Sequence, residues 1–310
     1  MELSTGEQNF ISLAFELLLA RHSNKDYIVM DDPISSFDSV YKNKIAFCII
    51  KFLENKKQII LTHNTDLVRL LDVQLNNCFN LYILNNVHNG MNGFISVSEK
   101  EKKLLINLHQ LILLFQNKNN ELIPAIRDRR QFLMAMIPFM RGYAHISLDP
   151  NDRYGQLSNI MHGYGVGSLD VIPIYNSLFG NVFNGSEIIS VSDILSINCN
   201  NLDILDETLF PLLADTLEQT LVYYHLRMKV RKRLVDIFSI HTNDTTMLNQ
   251  IIQRAFRCQN AAPNYEQMRE FRVFFTSRKA LLNEFNHFEG NMNIFQPAID
   301  ITKSATAKRN

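Results

Sequence analysis

Three short stretches within the first 64 residues hold acids, hydroxyls, a glycine and a histidine where chemistry could be done. In LSTGEQ (Leu3–Gln8), Ser4 and Gly6 stand immediately ahead of an apolar helical run. A hydroxyl and free backbone N–H groups at the positive end of a helix dipole make an anion site suited to a phosphate. The same residues also read as an ordinary cap, with Glu7 at the third helical place. In YIVMDDPISSFDS, an apolar run ends in Asp31 and Asp32. Carboxylates at the C-terminal edge of a sheet lie where α/β proteins bind ligands. One can hold Mg²⁺ directly or through water, and the next can polarise an attacking water. Two adjacent acids are costly to bury without a metal or a partner. In QIILTHN, His63 follows a second apolar run; taken alone, a histidine at a strand end is more often structural than catalytic.

These residues need elements to position them. Residues 7–22 carry Phe10, Leu13, Ala14, Leu17 and Leu18 at helical spacing. Tyr27–Asp32 reads as a buried strand that Pro33 ends, and Ser35–Ser39 offers caps for a helix running to about Leu53. Gln58–Asn64 reads as a second strand, with Asn64 or Thr65 capping a helix to about Val73. NLYIL and GFISV flank NNVHNGMN, which suggests a hairpin with Asn-Gly in its turn. The alternation over residues 1–100 predicts an α/β domain with a mostly parallel sheet. Beyond about 101 the pattern becomes mainly α, with helices over 101–118, 121–146, 204–238, 245–258 and 264–288. Between them, the Gly-, Asn-, Ser- and Asp-rich stretch 147–203 predicts loops with one or two short helices.

The chain has 310 residues, enough for one large domain or two ordinary ones. Apolar residues make up 46% and charged residues 20%, which excludes a disordered chain. The 31 Lys plus Arg equal the 31 Asp plus Glu, so overall charge selects no nucleic-acid or membrane partner. The four cysteines (Cys48, Cys78, Cys199, Cys258) include no CxxC pair, which fits inert thiols in a reducing cytoplasm. No apolar run reaches the ~18–20 residues of a membrane span, and no signal-peptide pattern is present. The expected location is the cytoplasm.

As a set, the three stretches resemble the C-terminal half of an ABC-type ATPase head. LSTGEQ is similar to its signature loop, YIVMDD to Walker B, SSFDS to the D-loop, and His63 to its switch histidine. DDPISSFDS with ILTHN looks like the AAA-type branch of bacterial anticodon nucleases and related phage-defence ATPases. The resemblance covers residues 1 to about 75, extending toward 100. It implies that Asp31 is the Mg²⁺-side acid and that Asp32 holds the catalytic-base position, one methylene shorter than the usual Glu. It implies that Ser4 and Gly6, with Gln8 in the same loop, contact the ATP γ-phosphate held by another head. Asp38 would communicate across the dimer, and His63 would sense the γ-phosphate.

The sequence departs from that family in lacking a P-loop, G-x-x-x-x-G-K-[ST]; it contains no Gly-Lys pair. HGYGVGSLD (His162–Asp170) lacks the lysine and the spacing, lies on the wrong side of Walker B, and reads as a loop. The expectation is a partial head over 1–100 and a helical region over 101–310. Such a chain would be a split subunit, a truncated reading frame or a remnant. It would bind and hydrolyse Mg-ATP only with a P-loop-bearing N-terminal half or a second head, as a dimer. A scaffold protein derived from such an ATPase is the alternative.

A third reading is a nuclease effector, acting on RNA or DNA from the helical region. The family's nuclease uses Arg and Glu one helical turn apart plus a later His, and no convincing R-x-x-x-E is present. Arg141 and His145 lie four apart on one helical face and read as a surface pair. Asn283, Glu284, Asn286, His287 and Glu289 cluster near a helix end, as a site or as a solvated face. HLRMKVRKR (His225–Arg233) spreads Arg227, Arg231 and Lys232 around a helix, where they could meet phosphates or water.

Overall fold

The computed structural model describes residues 4–34, 37, 39–76, 78–85, 93–116, 121–149, 151–163, 167–243, 246–257, 265–284, 288 and 292–295. They divide into two compact units, one within residues 1–107 and one within 108–302.

The first unit begins with α1 (Thr5–His22). Ser4 caps it: its hydroxyl accepts from the Glu7 N–H, and its own N–H and hydroxyl donate to the Glu7 carboxylate at 2.9 Å. These two bonds to Ser4 hold the Glu7 carboxyl below the ordinary value. Next come β1 (Tyr27–Asp31), α2 (Ser39–Phe52) and β2 (Lys57–Leu61). The strands pair in parallel, Tyr27 opposite Lys57 and Asp31 opposite Leu61, so α2 is the crossover that brings the chain back to the same edge. α3 (Thr65–Leu75) follows, then the antiparallel hairpin β3 (Tyr82–Asn85) with β4 (Gly93–Ser96), then α4 (Glu99–Ile106). The expected Asn-Gly turn lies outside the described residues.

Leu17, Met30, Ile34, Ile45, Ile49, Leu53, Leu67 and Leu71 form this unit's core, joined by the half-buried Ile28 and Ile60. The helices therefore cover the Ile28–Met30–Ile60 face of the sheet. The opposite face carries Tyr27, Val29, Ile59 and Leu61, all exposed. The apolar run Tyr27–Asp32 predicts a buried strand. The described chain supplies apolar cover on one side only, although parallel strands ordinarily have both faces covered. Lys102, fully buried, ties α4 to α3. Burial lowers its pKa, but Glu99 at 2.8 Å and Asp72 at 3.1 Å outweigh that and hold it above the ordinary value.

The second unit is mainly helical: α5 (Leu108–Gln116), α6 (Leu122–Ala125), α7 (Arg129–Ile146), α8 (Arg153–His162), α9 (Val171–Phe179), α10 (Val191–Leu195), α11 (Pro211–Phe238), α12 (Leu248–Ala255) and α13 (Tyr265–Glu284). A short antiparallel pair, β5 (Ser168–Asp170) and β6 (Ile188–Ser190), brackets α9. Phe115, Phe132, Phe139, Tyr175, Phe179 and Phe288 are buried together, with ring centroids 4.9–6.4 Å apart. Edge-on and offset ring pairs add to the burial of apolar area. A satellite core of Leu234, Leu248, Ile251, Ile252 and Phe256 joins α11 to α12. The single expected helix over 121–146 breaks at Ile126–Asp128: Ile126 bridges to Leu205, and Asp128 starts α7 by accepting from the Gln131 N–H. The stretch 147–203 is more ordered than its composition suggested, because α8, α9 and α10 each bury apolar residues.

Candidate functional site

Because β1 and β2 are parallel, both release the chain at the same edge, at Asp31 and Leu61. The strand expected to reach Asp32 stops one residue earlier. Asp32 adopts a left-handed conformation with φ 45°, and its N–H donates to the Leu61 carbonyl at 2.7 Å. Few residues other than glycine hold this conformation readily, and aspartate is among those that do.

The turn places the Asp32 carboxylate against the loop after β2. The Thr62 hydroxyl donates to one carboxylate oxygen at 2.8 Å and accepts from the Asn64 N–H at 3.0 Å. His63 Nδ1 lies 3.2 Å from the other oxygen. Asn64 then caps α3 by accepting from the Asp66 N–H at 2.9 Å, so the histidine is fixed between a strand end and a helix start. The Asp32 side chain is 20% exposed and the imidazole 71% exposed. A carboxylate held at both oxygens beside an open imidazole can orient a water and exchange a proton.

Asp31 ends β1 on the bare face of the sheet and is exposed. Among the described residues its carboxylate makes no hydrogen bond or ion pair. Those residues also contain no cluster of three metal-ligating side chains. A site with one available carboxylate suits Mg²⁺, which commonly binds through one or two carboxylates and completes its shell with water and phosphate oxygens.

Ser4, Gly6 and Gln8 lie at the exposed start of α1. The Ser4 hydroxyl is engaged with Glu7, so the capping role read from the sequence is realised. A Cβ built on Gly6 would meet nothing within 4 Å, leaving room for a ligand to approach the backbone. No described hydrogen bond or ion pair joins Ser4 or Gly6 to Asp31, Asp32 or His63. Asp38, Ser35 and Ser36 lie outside the described residues.

In the second unit the expected surface pair is half buried. Arg141 is 5% exposed, donates to the Ser158 hydroxyl and to the Tyr154 hydroxyl, each at 2.7 Å, and lies over the Tyr154 ring. His145 is exposed, with its ring 4.8 Å from that of Tyr154. Arg227 is also buried, donating to the Met161 carbonyl and meeting His162 Nδ1 at 2.7 Å. Lys232 is exposed and Arg231 half-buried. HGYGVGSLD is divided: α8 ends at left-handed Gly163, residues 164–166 lie outside the described residues, and Ser168 opens β5. Asn286, His287 and Glu289 also lie outside them, and of the side chains of Asn283 and Glu284 nothing is described.

The sequence reading missed Thr62, Tyr154 and Ser158. A hydroxyl between a strand end and a helix cap was the available signal for Thr62. Tyr154 and Ser158 become partners of Arg141 only when α8 folds back on α7.

Neither the curated proteins nor the solved structures contain a match to this chain. No helix among the described residues is long and apolar enough to cross a membrane. Residues 1–122 match the family model of an AAA domain, and in that segment the chain is similar to the AAA-type ATPase family.

Proposed function

We propose that this chain supplies the signature, Walker B and switch-histidine half of an ABC-type ATPase site, in a bacterial defence or anticodon-nuclease-like system. The observation that carries the reading is the Asp32 carboxylate held between Thr62 and His63 at the ends of two parallel strands. On this reading Asp31 holds Mg²⁺. Asp32 accepts the proton of the attacking water, while Thr62 and His63 fix its orientation. Ser4, Gly6 and Gln8 present the start of α1 to the γ-phosphate, and Asp38 acts across the dimer. When bound, Mg-ATP supplies the phosphoanhydride and the charge that these groups meet. A P-loop-bearing N-terminal half or second head completes the site, because no lysine-bearing phosphate loop is present in the sequence.

The test measures Mg-ATP hydrolysis by the purified chain, with and without the product of the adjacent upstream reading frame. Activity only in the mixture, abolished by Asp32→Asn, is the expected result. Unchanged activity in Asp32→Asn, or none in either condition, overturns the proposal.

A further inference from the structure

The exposed face of the β1–β2 sheet has a charge pattern complementary to itself. Its three cross-strand rows are Tyr27 with Lys57, Val29 with Ile59, and Asp31 with Leu61. Tyr27, Val29, Ile59 and Leu61 are 57%, 61%, 47% and 45% exposed. Lys57 lies over the Tyr27 ring at the start of the strands, and Asp31 stands at their end. Four residues at about 3.3 Å each separate the two charged ends by roughly 13 Å along the strands.

We infer that this face packs on the same face of a second copy of the chain, with the two sheets running in opposite directions about a two-fold axis. Sheets stack about 10 Å apart. In the antiparallel arrangement the Asp31 end of each sheet covers the Lys57 end of the other, and the four apolar side chains meet in between. With the strands of the two copies parallel, the two Asp31 ends would come together and so would the two Lys57 ends, which is repulsive. Charge therefore selects one orientation, and an isologous interface needs such a self-complementary patch.

The size of the patch sets the strength of the association. The apolar side chains present on the order of 400 Å² per copy, so a dimer buries roughly 800 Å² from this face, below the standard ~1,600 Å². The dimer is accordingly weak and reversible, and it is a state of the chain without nucleotide: on the ATPase reading, Mg²⁺ at Asp31 and a P-loop-bearing half compete with it.

Sedimentation velocity of the full chain without nucleotide, from about 1 to 100 µM, tests this. Wild type should shift from monomer to dimer across the range. Val29→Thr with Ile59→Thr should abolish the shift. Both positions are exposed and threonine suits a strand, so the fold is kept, and circular dichroism checks this. Lys57→Asp alone and Asp31→Lys alone should each weaken association at least tenfold, and the two together should restore it. A wild-type chain monomeric at 100 µM overturns the proposal. So does a dimer that survives the threonine pair, which would place the contact elsewhere, or a charge exchange that fails to restore it.

Discussion

Both units expose some large apolar side chains, but the aromatic core of the second and the sheet of the first are enclosed to different degrees. The second encloses a ring of aromatic side chains, and Phe115, Phe132, Phe139, Tyr175 and Phe179 are all at most 1% exposed. The first buries one face of its sheet and leaves Val29, Ile59 and Leu61 bare, while α1 exposes Ile11, Phe15 and Leu19 on its outer side. The candidate ATPase residues sit on the unit that is less complete as a packed object. The lesson is that site geometry and self-sufficient packing are separable. Asp32 and His63 are held by the turn, a hydroxyl and a helix cap, and none of these needs the missing cover.

Perturbations of the two units should separate in size. The largest effect is expected from Phe139→Ala, which removes a fully buried ring touching Phe115, Phe179 and Phe288. It should cost about 3–5 kcal/mol in denaturant unfolding of the second unit, and a loss under 1 kcal/mol would show that this core is looser than described. Gly142→Ala comes next. Its Cβ would lie 2.9 Å from that of Phe288 and 3.3 Å from the Phe288 backbone, so overpacking should cost about 1–3 kcal/mol.

Smaller still is Thr62→Val in the first unit. It removes the donor to Asp32 and the acceptor for the Asn64 N–H, at about 1 kcal/mol because water reaches the partly exposed carboxylate. Thr62→Ser should retain most of that stabilisation, and a loss in Thr62→Ser with none in Thr62→Val would point to packing of the methyl group instead. The least effect is a pH dependence. Burial lowers the pKa of His225, whose Nδ1 meets the Ile194 carbonyl at 2.7 Å. In the window below its ordinary value of about 6.5 the unfolded chain binds more protons than the folded one. Stability of the second unit should therefore be full above that value and decline as pH falls through the window. His225→Asn should flatten the decline, and an unchanged slope would assign it to other groups.

Much of the first unit was legible because its signals are local. Two apolar runs ending in polar residues gave the strands, and Ser4 with Glu7 gave the cap that starts α1. Position 32 was less legible, since a left-handed residue depends on the bond from its N–H to Leu61, a partner on another strand. The burial of Arg141 was hidden for a similar reason. Its spacing from His145 is a helix-surface pattern, and only α8, folding back with Tyr154 and Ser158, covers it. The order within 147–203 was hidden by composition, because its short helices are stabilised by tertiary burial rather than by propensity.

The left-handed backbone at Asp32 also bears on which sequences this position can accept. Aspartate and asparagine tolerate such a conformation and glycine adopts it freely, whereas a longer side chain is disfavoured there. Exchanging Asp32 for glutamate would thus change two things in one mutation, the reach of the carboxylate and the ease of the turn that aims it. In this chain the carboxylate's reach and the path of the backbone at position 32 are therefore set together.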